Sequence, residues 1–372
     1  MRSLSLLACA LLLLAPFESW AQETAEDPEL DKEQSFDVQW GGMVQTQFNT
    51  SSAEGAQERT DVLLRRVRLN ANARVSEQLS GRIQAELANA AVGGDAQLNE
   101  AYLLYQPFKS LGILIGKGGR PYGLLDAVPA AQLLPIERGG RFRGAEAVEL
   151  YRVHEALAYA GRSVGAQVLG SFGPEDLRVD YALGYFTGSQ GEEGASADID
   201  QFAARVQVTF DQTIQAGVAV SSRVFAQQER PGVAADGSVS GAFPRGSTRR
   251  GEGATLDVRV GKFEEPGLHA MLAGSGGTID PFEGHIYYGG TGWLGYLFTL
   301  PHRTFQGLEP FVRSNVAFVQ GPLGEQDGVL ITPGVNLHLP KNARLALNVD
   351  LFRFHDQGDW LSSVKAQAQL AF

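Results

Sequence analysis

The chain has a single cysteine, Cys9, and it stands inside an apolar run near the N-terminus. No disulfide framework and no cysteine-based metal centre can be built from that. Lysine is nearly as scarce: Lys32, Lys109, Lys117, Lys262, Lys341 and Lys365 are all there are. The net charge is −11, from 42 acids against 31 basic residues, which excludes a general nucleic-acid binder. After residue 21 no apolar stretch approaches the ~20 residues of a spanning helix, and the mean hydropathy is slightly negative, −0.12. A helical membrane protein is therefore excluded. A transmembrane β-barrel is not, because its strands need only alternate. His154, His269, His285, His302, His338 and His355 show neither HExxH nor paired-ligand spacing, so no metal or cofactor is expected. Gly116-Lys117-Gly118 lacks the spacing and the hydroxyl of a phosphate-cradling loop. Asp356 and Asp359 read as a solvated loop rather than a Ca²⁺ site.

Residues 1–21 have the form of a secretory signal: Arg2, an apolar core over 4–14, and Ser19-Trp20-Ala21 as a small-x-small cleavage site. Cys9 is then a signal-core residue, and the mature chain has no cysteine. Residues 22–35 carry six acids against Lys32 and read as an acidic flexible tail. The remaining 36–372 form one domain.

Throughout that domain the hydrophobic period is two. Phe36, Val38, Trp40, Gly42, Val44, Thr46 and Phe48 lie on one face. Val67, Leu69, Ala71, Ala73 and Val75 oppose Arg66, Arg68, Asn70, Asn72 and Arg74. Val206, Val208 and Phe210 oppose Arg205, Gln207 and Thr209; Leu345, Leu347, Val349 and Leu351 oppose Arg344, Asn348 and Asp350. Connections alternate short and long, the long ones near 49–59, 119–160, 188–198, 226–253 and 274–280. The pattern predicts an all-β, transmembrane antiparallel barrel of about 16 strands, short turns at one end and long loops at the other. Tyr102, Tyr105, Tyr185, Tyr287, Tyr288, Trp293, Tyr296 and Phe298 are candidates for its aromatic girdles. The alternating run 363–372, ending in Phe372, resembles the assembly signal of bacterial outer-membrane barrels, and closure removes the free edge it would otherwise leave.

One excursion stands out. Strand patterning stops after Gly119 and returns near Gly161, roughly forty residues that a compact domain rarely leaves without a task. Arg120, Arg138, Arg141, Arg143 and Arg152 lie in or beside it, among Gly and Pro. If the other strands close into a barrel, a loop of that length can fold into the lumen and narrow it. Strand parity independently places Arg66, Arg68, Arg74, Arg82, Arg178, Arg205, Arg223, Arg259, Arg313 and Arg344 on the lumen side, with Glu86, Glu100, Asp180, Asp257 and Asp350. A guanidinium lining favours anion entry; pairing of those arginines with the acids would instead leave little selectivity. The loop 226–253 adds Arg230, Arg245, Arg249 and Arg250, which either dip into the mouth or are solvated.

Several segments resemble the phosphate-selective porin O and P family: Leu64-Arg65-Arg66-Val67-Arg68-Leu69, Asn99-Glu100-Ala101-Tyr102-Leu103-Leu104-Tyr105, Gly116-Lys117-Gly118-Gly119-Arg120-Pro121-Tyr122-Gly123-Leu124, Leu134-Pro135-Ile136-Glu137-Arg138 and Asn342-Ala343-Arg344-Leu345-Ala346-Leu347-Asn348. The resemblance implies a trimeric, sixteen-stranded porin with an inward third long loop, arginines along the path and lysines at the constriction. Only Lys117 lies near that point. It shares parity with Ile113 and Ile115, so a bulge at the glycines has to turn it inward. The expected function is a water-filled channel in a Gram-negative outer membrane for small hydrophilic solutes, leaning to anions such as phosphate or other oxyanions. Its expected partners are outer-membrane lipid, the assembly machinery through Phe372, and two further copies of itself. The alternatives are a non-selective general porin or a barrel enzyme of lipase or protease type. An enzyme needs a tight nucleophile–base pair, and His285, nearest a strand, has no obvious serine partner.

Overall fold

Sixteen alternating segments pair in chain order. The computed structural model describes residues 36–372 except 53–58, 143–144, 147–148, 158, 188–197, 226–231, 234–238, 241–248, 279–285, 322–323 and 355–359. The expected signal and acidic tail, together with Arg143, Arg230, Arg245, His285, His355, Asp356 and Asp359, lie outside the described residues, and of Arg141 and Arg249 only the backbone is described. The strands are β1 (Asp37–Ser52), β2 (Arg59–Arg74), β3 (Leu79–Glu86), β4 (Gln97–Phe108), β5 (Leu111–Gly119), β6 (Arg162–Phe172), β7 (Leu177–Phe186) and β8 (Asp198–Phe210). There follow β9 (Ile214–Phe225), β10 (Arg249–Val260), β11 (Gly267–Thr278), β12 (Ile286–Thr299), β13 (Gly307–Gly321), β14 (Gly324–Leu339), β15 (Ala343–Phe354) and β16 (Leu361–Ala371). Each pairs antiparallel with its neighbours and β16 returns to β1, so the sheet is a closed barrel. Closure satisfies every strand edge internally. Among the described residues no helix is long and apolar enough to cross a membrane.

The alternation read from the sequence is the alternation of faces. Phe202, Val206, Val208 and Phe210 stand exposed on the outside of β8, while Gln201, Ala203 and Thr209 are buried inside. On β9, Ile214, Val218 and Val220 are exposed, whereas Ala219, Ser221 and Arg223 are buried. Short turns sit at one end. Phe210 pairs with Ile214 and Leu339 with Ala343, and the connecting residues Asp211, Gln212, Lys341 and Asn342 take positive φ of 48–61°. That left-handed geometry reverses the chain without splaying twisted strands.

The girdle assignment needs correction in three places. Tyr287 and Trp293 are buried inside the barrel (1% and 6% exposed), and Tyr102 lies in the inward column of β4 beside Glu100 and Arg82. Tyr105, Tyr185, Tyr288, Tyr296 and Phe298 do face outward.

The seam between β16 and β1 ends on Phe372. Its carbonyl accepts the Gly42 N–H at 2.7 Å and its N–H donates to Gly42 O at 3.0 Å. The ring lies over Gly42, where any Cβ would come within 2.6 Å of Cζ. Deleting Phe372 removes both bonds and the ring. We expect fewer barrels to reach the folded, heat-modifiable form, and equal yields from both chains would refute that role.

Candidate solute passage and its constriction

The excursion after β5 runs inside the barrel. Its described residues include two short α-helices, α1 (Leu124–Ala127) and α2 (Leu150–Ala156), and a 3₁₀ turn at Ala130–Gln132, and its apolar side chains pack on the inner wall in two clusters. Leu124, Leu125, Val128, Leu133 and Leu134 pack on Met271, Trp293 and Phe311. Tyr122, Leu150, Val153, Leu157 and Tyr159 pack with Tyr287, Leu330, Phe352 and neighbours. These inward apolar residues are the loop's footprint, which is why Tyr287 and Trp293 are not girdle residues. Each buried large aliphatic side chain contributes roughly 1.5–3 kcal/mol relative to exposure.

Wall side chains capture the loop's carbonyls, which a closed interior leaves without water. Arg344 donates to Leu133 O at 2.6 Å, Asn336 to Leu134 O at 3.1 Å, and Gln369 to Ala131 O at 3.1 Å. Arg313, the largest fully buried side chain, donates to Glu137 O and Arg138 O at 2.9 and 2.8 Å and pairs with Asp350, which also holds Lys365. Arg223 donates to Leu157 O at 2.7 Å; Arg205 forks onto Asp257 at 2.6 and 2.7 Å and reaches Tyr122 O at 3.0 Å.

Glu137 is the loop's main ionic tie. It accepts from Arg65, from Arg66 at 3.0 Å and from Gln47 at 2.9 Å. Burial alone would raise its pKa, but Arg66 and Arg65 hold the carboxyl well below the usual carboxylate range. Both arginines turn inward because of a bulge: Gln45 pairs with Arg66 and Thr46 with Leu64, leaving Arg65 as the extra residue. Parity counting finds Arg66 but misses Arg65, since a one-residue insertion has no periodic signature.

Among the described residues, and apart from the two roots, the loop's ties to the wall run from β8 through β16 to β1 and to Arg65 and Arg66 of β2. The remaining wall, from Arg68 of β2 through to β6, has Arg68 paired with Glu86 at 2.8 Å, and Arg82 and Arg162 sharing Glu100 at 2.7 and 2.8 Å. Arg138, whose guanidinium holds the carbonyls of Leu125 and Val128, lies within electrostatic reach of Arg68, as does Arg162. Arg120 is buried at the loop's root on Ser163 and Ala160 O. Arg259 and Arg74 occupy inward columns and form no hydrogen bond or ion pair among the described residues. Arg178 pairs with Asp180 at 3.0 Å. Lys117 does not turn inward. It sits opposite Ala101 and Val164 with no register break, because Gly116 takes φ 131° within the ladder instead of inserting a bulge.

His154 on α2 contacts Ser275 Oγ at 2.9 Å, beneath the rings of Tyr122 and Tyr287. Burial pushes its imidazole down to about 3, so it is neutral at physiological pH. Ser275 also bonds Ala254 O at 2.8 Å and Tyr122 at 3.2 Å, so the group rivets loop to wall.

Glu149, at the start of α2, is fully buried against Gly139, where a Cβ would overlap it. Burial pushes its carboxyl up to about 7, partly offset by Arg313 and Arg152, with Asp350 adding to the rise. A folded pKa above the ordinary value makes stability fall as pH climbs from about 4.5 to about 7. Thermal unfolding across that window should show a decline that Glu149→Gln flattens; parallel Tm curves would refute it.

Solved structures share this architecture. The outer membrane channel DcaP of Acinetobacter baumannii superposes with a TM-score of 0.63 at 12% identity, over 92% of this chain and 99% of that one. An anion-selective porin from Comamonas acidovorans gives 0.60 at 13%, over 91% and 100%. OmpT, an outer membrane protein of Vibrio cholerae in trimer form, gives 0.59 at 12%, over 91% and 100%. The barrel has the porin fold. No protein-family model matches the chain, and no curated protein sequence matches it. At such identities the likeness to these porin-fold structures is one of fold, and what the lumen does rests on its own residues.

Proposed function

We propose that the chain forms a water-filled channel across a bacterial outer membrane for small hydrophilic solutes, with a preference for anions. The observation that carries this is the one-sided anchoring of residues 120–161. The wall on which the loop has no tie beyond its roots among the described residues carries Arg68, Arg82 and Arg162, and Arg138 of the loop lies within electrostatic reach of Arg68. Apolar outward strands suit lipid, while polar inward columns suit water. Guanidinium groups facing each other across a narrow, low-dielectric passage raise the local anion concentration without binding any one anion tightly. Phosphate and other oxyanions fit that chemistry. The anion-selective porin of the same fold lends support, as does the trimeric form of another for assembly as a homotrimer. Assembly machinery reading Phe372 belongs to the same proposal.

The pairing of Arg68 with Glu86, and of Arg82 and Arg162 with Glu100, favours the second reading, a weakly selective general porin. Single-channel recording with ion substitution separates the readings. A reversal potential displaced toward the anion supports the first. One near zero supports the second, and a folded, inserted barrel with no conductance overturns both.

A further inference from the structure

On the outside of the barrel, near its long-loop end, β7 to β11 line an open, shallow apolar hollow of about 560 Å³. That is the size of a ligand cleft, yet it opens outward rather than into the lumen. Its floor is small because Ala204, Ala254 and Gly276 fall in one outward row: Ala204 pairs with Val220, Val220 with Ala254, and Ala254 with Gly276. Leu183 and Phe202 wall it on the β7–β8 side, each 54% exposed. In the next outward row toward the long loops the face turns polar, with Ser222 opposite Glu252 and Glu252 opposite Thr278.

Arg250 stands one step further up. Its Nε donates to Ser222 Oγ at 2.7 Å and lies 3.1 Å from Glu252 Oε1. The two terminal nitrogens form no hydrogen bond among the described residues, and the side chain is 64% exposed. Ser222 and Glu252 thus hold the inner edge of the guanidinium and leave free the edge that takes a phosphate in bidentate fashion.

We infer that this surface docks a phosphorylated, acylated lipid of the leaflet on the long-loop side, with an acyl chain in the hollow and a phosphate on Arg250. A hollow left unfilled within hydrocarbon forfeits dispersion contacts along its lining, and a flexible chain restores them. The order of the parts along the outward face matches such a molecule: apolar floor below, then Ser222, Thr278 and the Glu252 carboxylate that holds Arg250, then the guanidinium above. The inference rests on the membrane placement proposed above, but not on conductance or selectivity.

The test uses the full barrel in neutral detergent, exposed to lipid A in bisphosphoryl and phosphate-free forms, with bound lipid counted by native mass spectrometry. The wild type should retain the bisphosphoryl form. Arg250→Gln should weaken retention about tenfold, the scale of one charge-assisted contact. Ala254→Leu fills the floor without altering charge and should displace the lipid. Equal retention by all three proteins, or equal retention of the phosphate-free form, overturns the inference. So does a change of oligomeric state in Ala254→Leu, which would assign the hollow to a second copy of the chain. Planar-bilayer recordings on the same samples keep the two proposals apart. Loss of lipid with unchanged conductance supports docking, and lipid retention by a non-conducting barrel supports docking while overturning the channel.

Discussion

Glu137→Gln should loosen the constriction loop and make the passage more anion-selective. Glu137 and Arg66 expose only 6% of their side chains and Arg65 exposes 21%. The neutral amide keeps the shape and removes the charge, leaving two guanidiniums largely buried beside Gln45 and Gln47. Removing one partner of a buried pair costs roughly 3–5 kcal/mol, because the remaining charge stays desolvated. Here the loop has an alternative to bearing that cost: it can leave the wall, since no strand pairing of the barrel depends on Glu137. Barrel melting should therefore fall less than this figure, while single-channel traces gain noise and sublevels. The released arginines should displace the reversal potential toward the anion relative to the wild type. Unchanged noise and unchanged selectivity in a folded variant would show that Glu137 does not latch the loop. Deleting 126–138 removes Glu137, Arg138 and the Leu133–Leu134 packing together, and should raise conductance outright. If it does not, the loop is not the narrowest section.

The second large effect is expected from Arg68→Glu combined with Arg82→Glu. Arg66, Arg205 and Arg223 also face the lumen, but each holds the loop through Glu137, Tyr122 O or Leu157 O, so reversing them would unseat it. Arg68 and Arg82 stand on the wall to which the loop has no tie beyond its roots among the described residues. Reversing both places two new carboxylates beside Glu86 and Glu100, while Arg162 stays paired with Glu100. In a low-dielectric passage such a summed field acts on every permeating ion. The reversal potential in a salt gradient should move to cation preference and far exceed the shift from Arg303→Glu with Lys341→Glu, on exposed turns. The shift should shrink at high salt, because the Debye length contracts to about 3 Å at 1 M. A wild type that is already cation-selective, or a double variant that matches the turn control, would end the arginine-wall account.

How far sequence alone reaches is visible in these residues. Period-two alternation is local, and it gives each strand one apolar and one polar face. Strand number, the faces of β2, β8, β9 and β15, the short-turn end and the inward loop all follow from that alternation and from one over-long connection. Arg66, Arg68, Arg82, Arg205 and Arg223 were found inward for the same reason. What each does was not local. Arg313 meets Glu137 O across 176 positions and Arg344 meets Leu133 O across 211, long-range contacts that leave no local pattern in the sequence. The loop's footprint on Trp293, Phe311 and Tyr287 left a trace, namely apolar residues in a column that should be polar. That trace is the same whether the partner is lipid or a loop, so the girdle reading misplaced them. Two departures turned on single residues. Arg65 entered the lumen because a bulge inserts a residue without changing composition, and Lys117 stayed outside because Gly116 absorbed the bend in its own φ. Alternation decides which way a side chain points; closure and the packed loop decide what it meets.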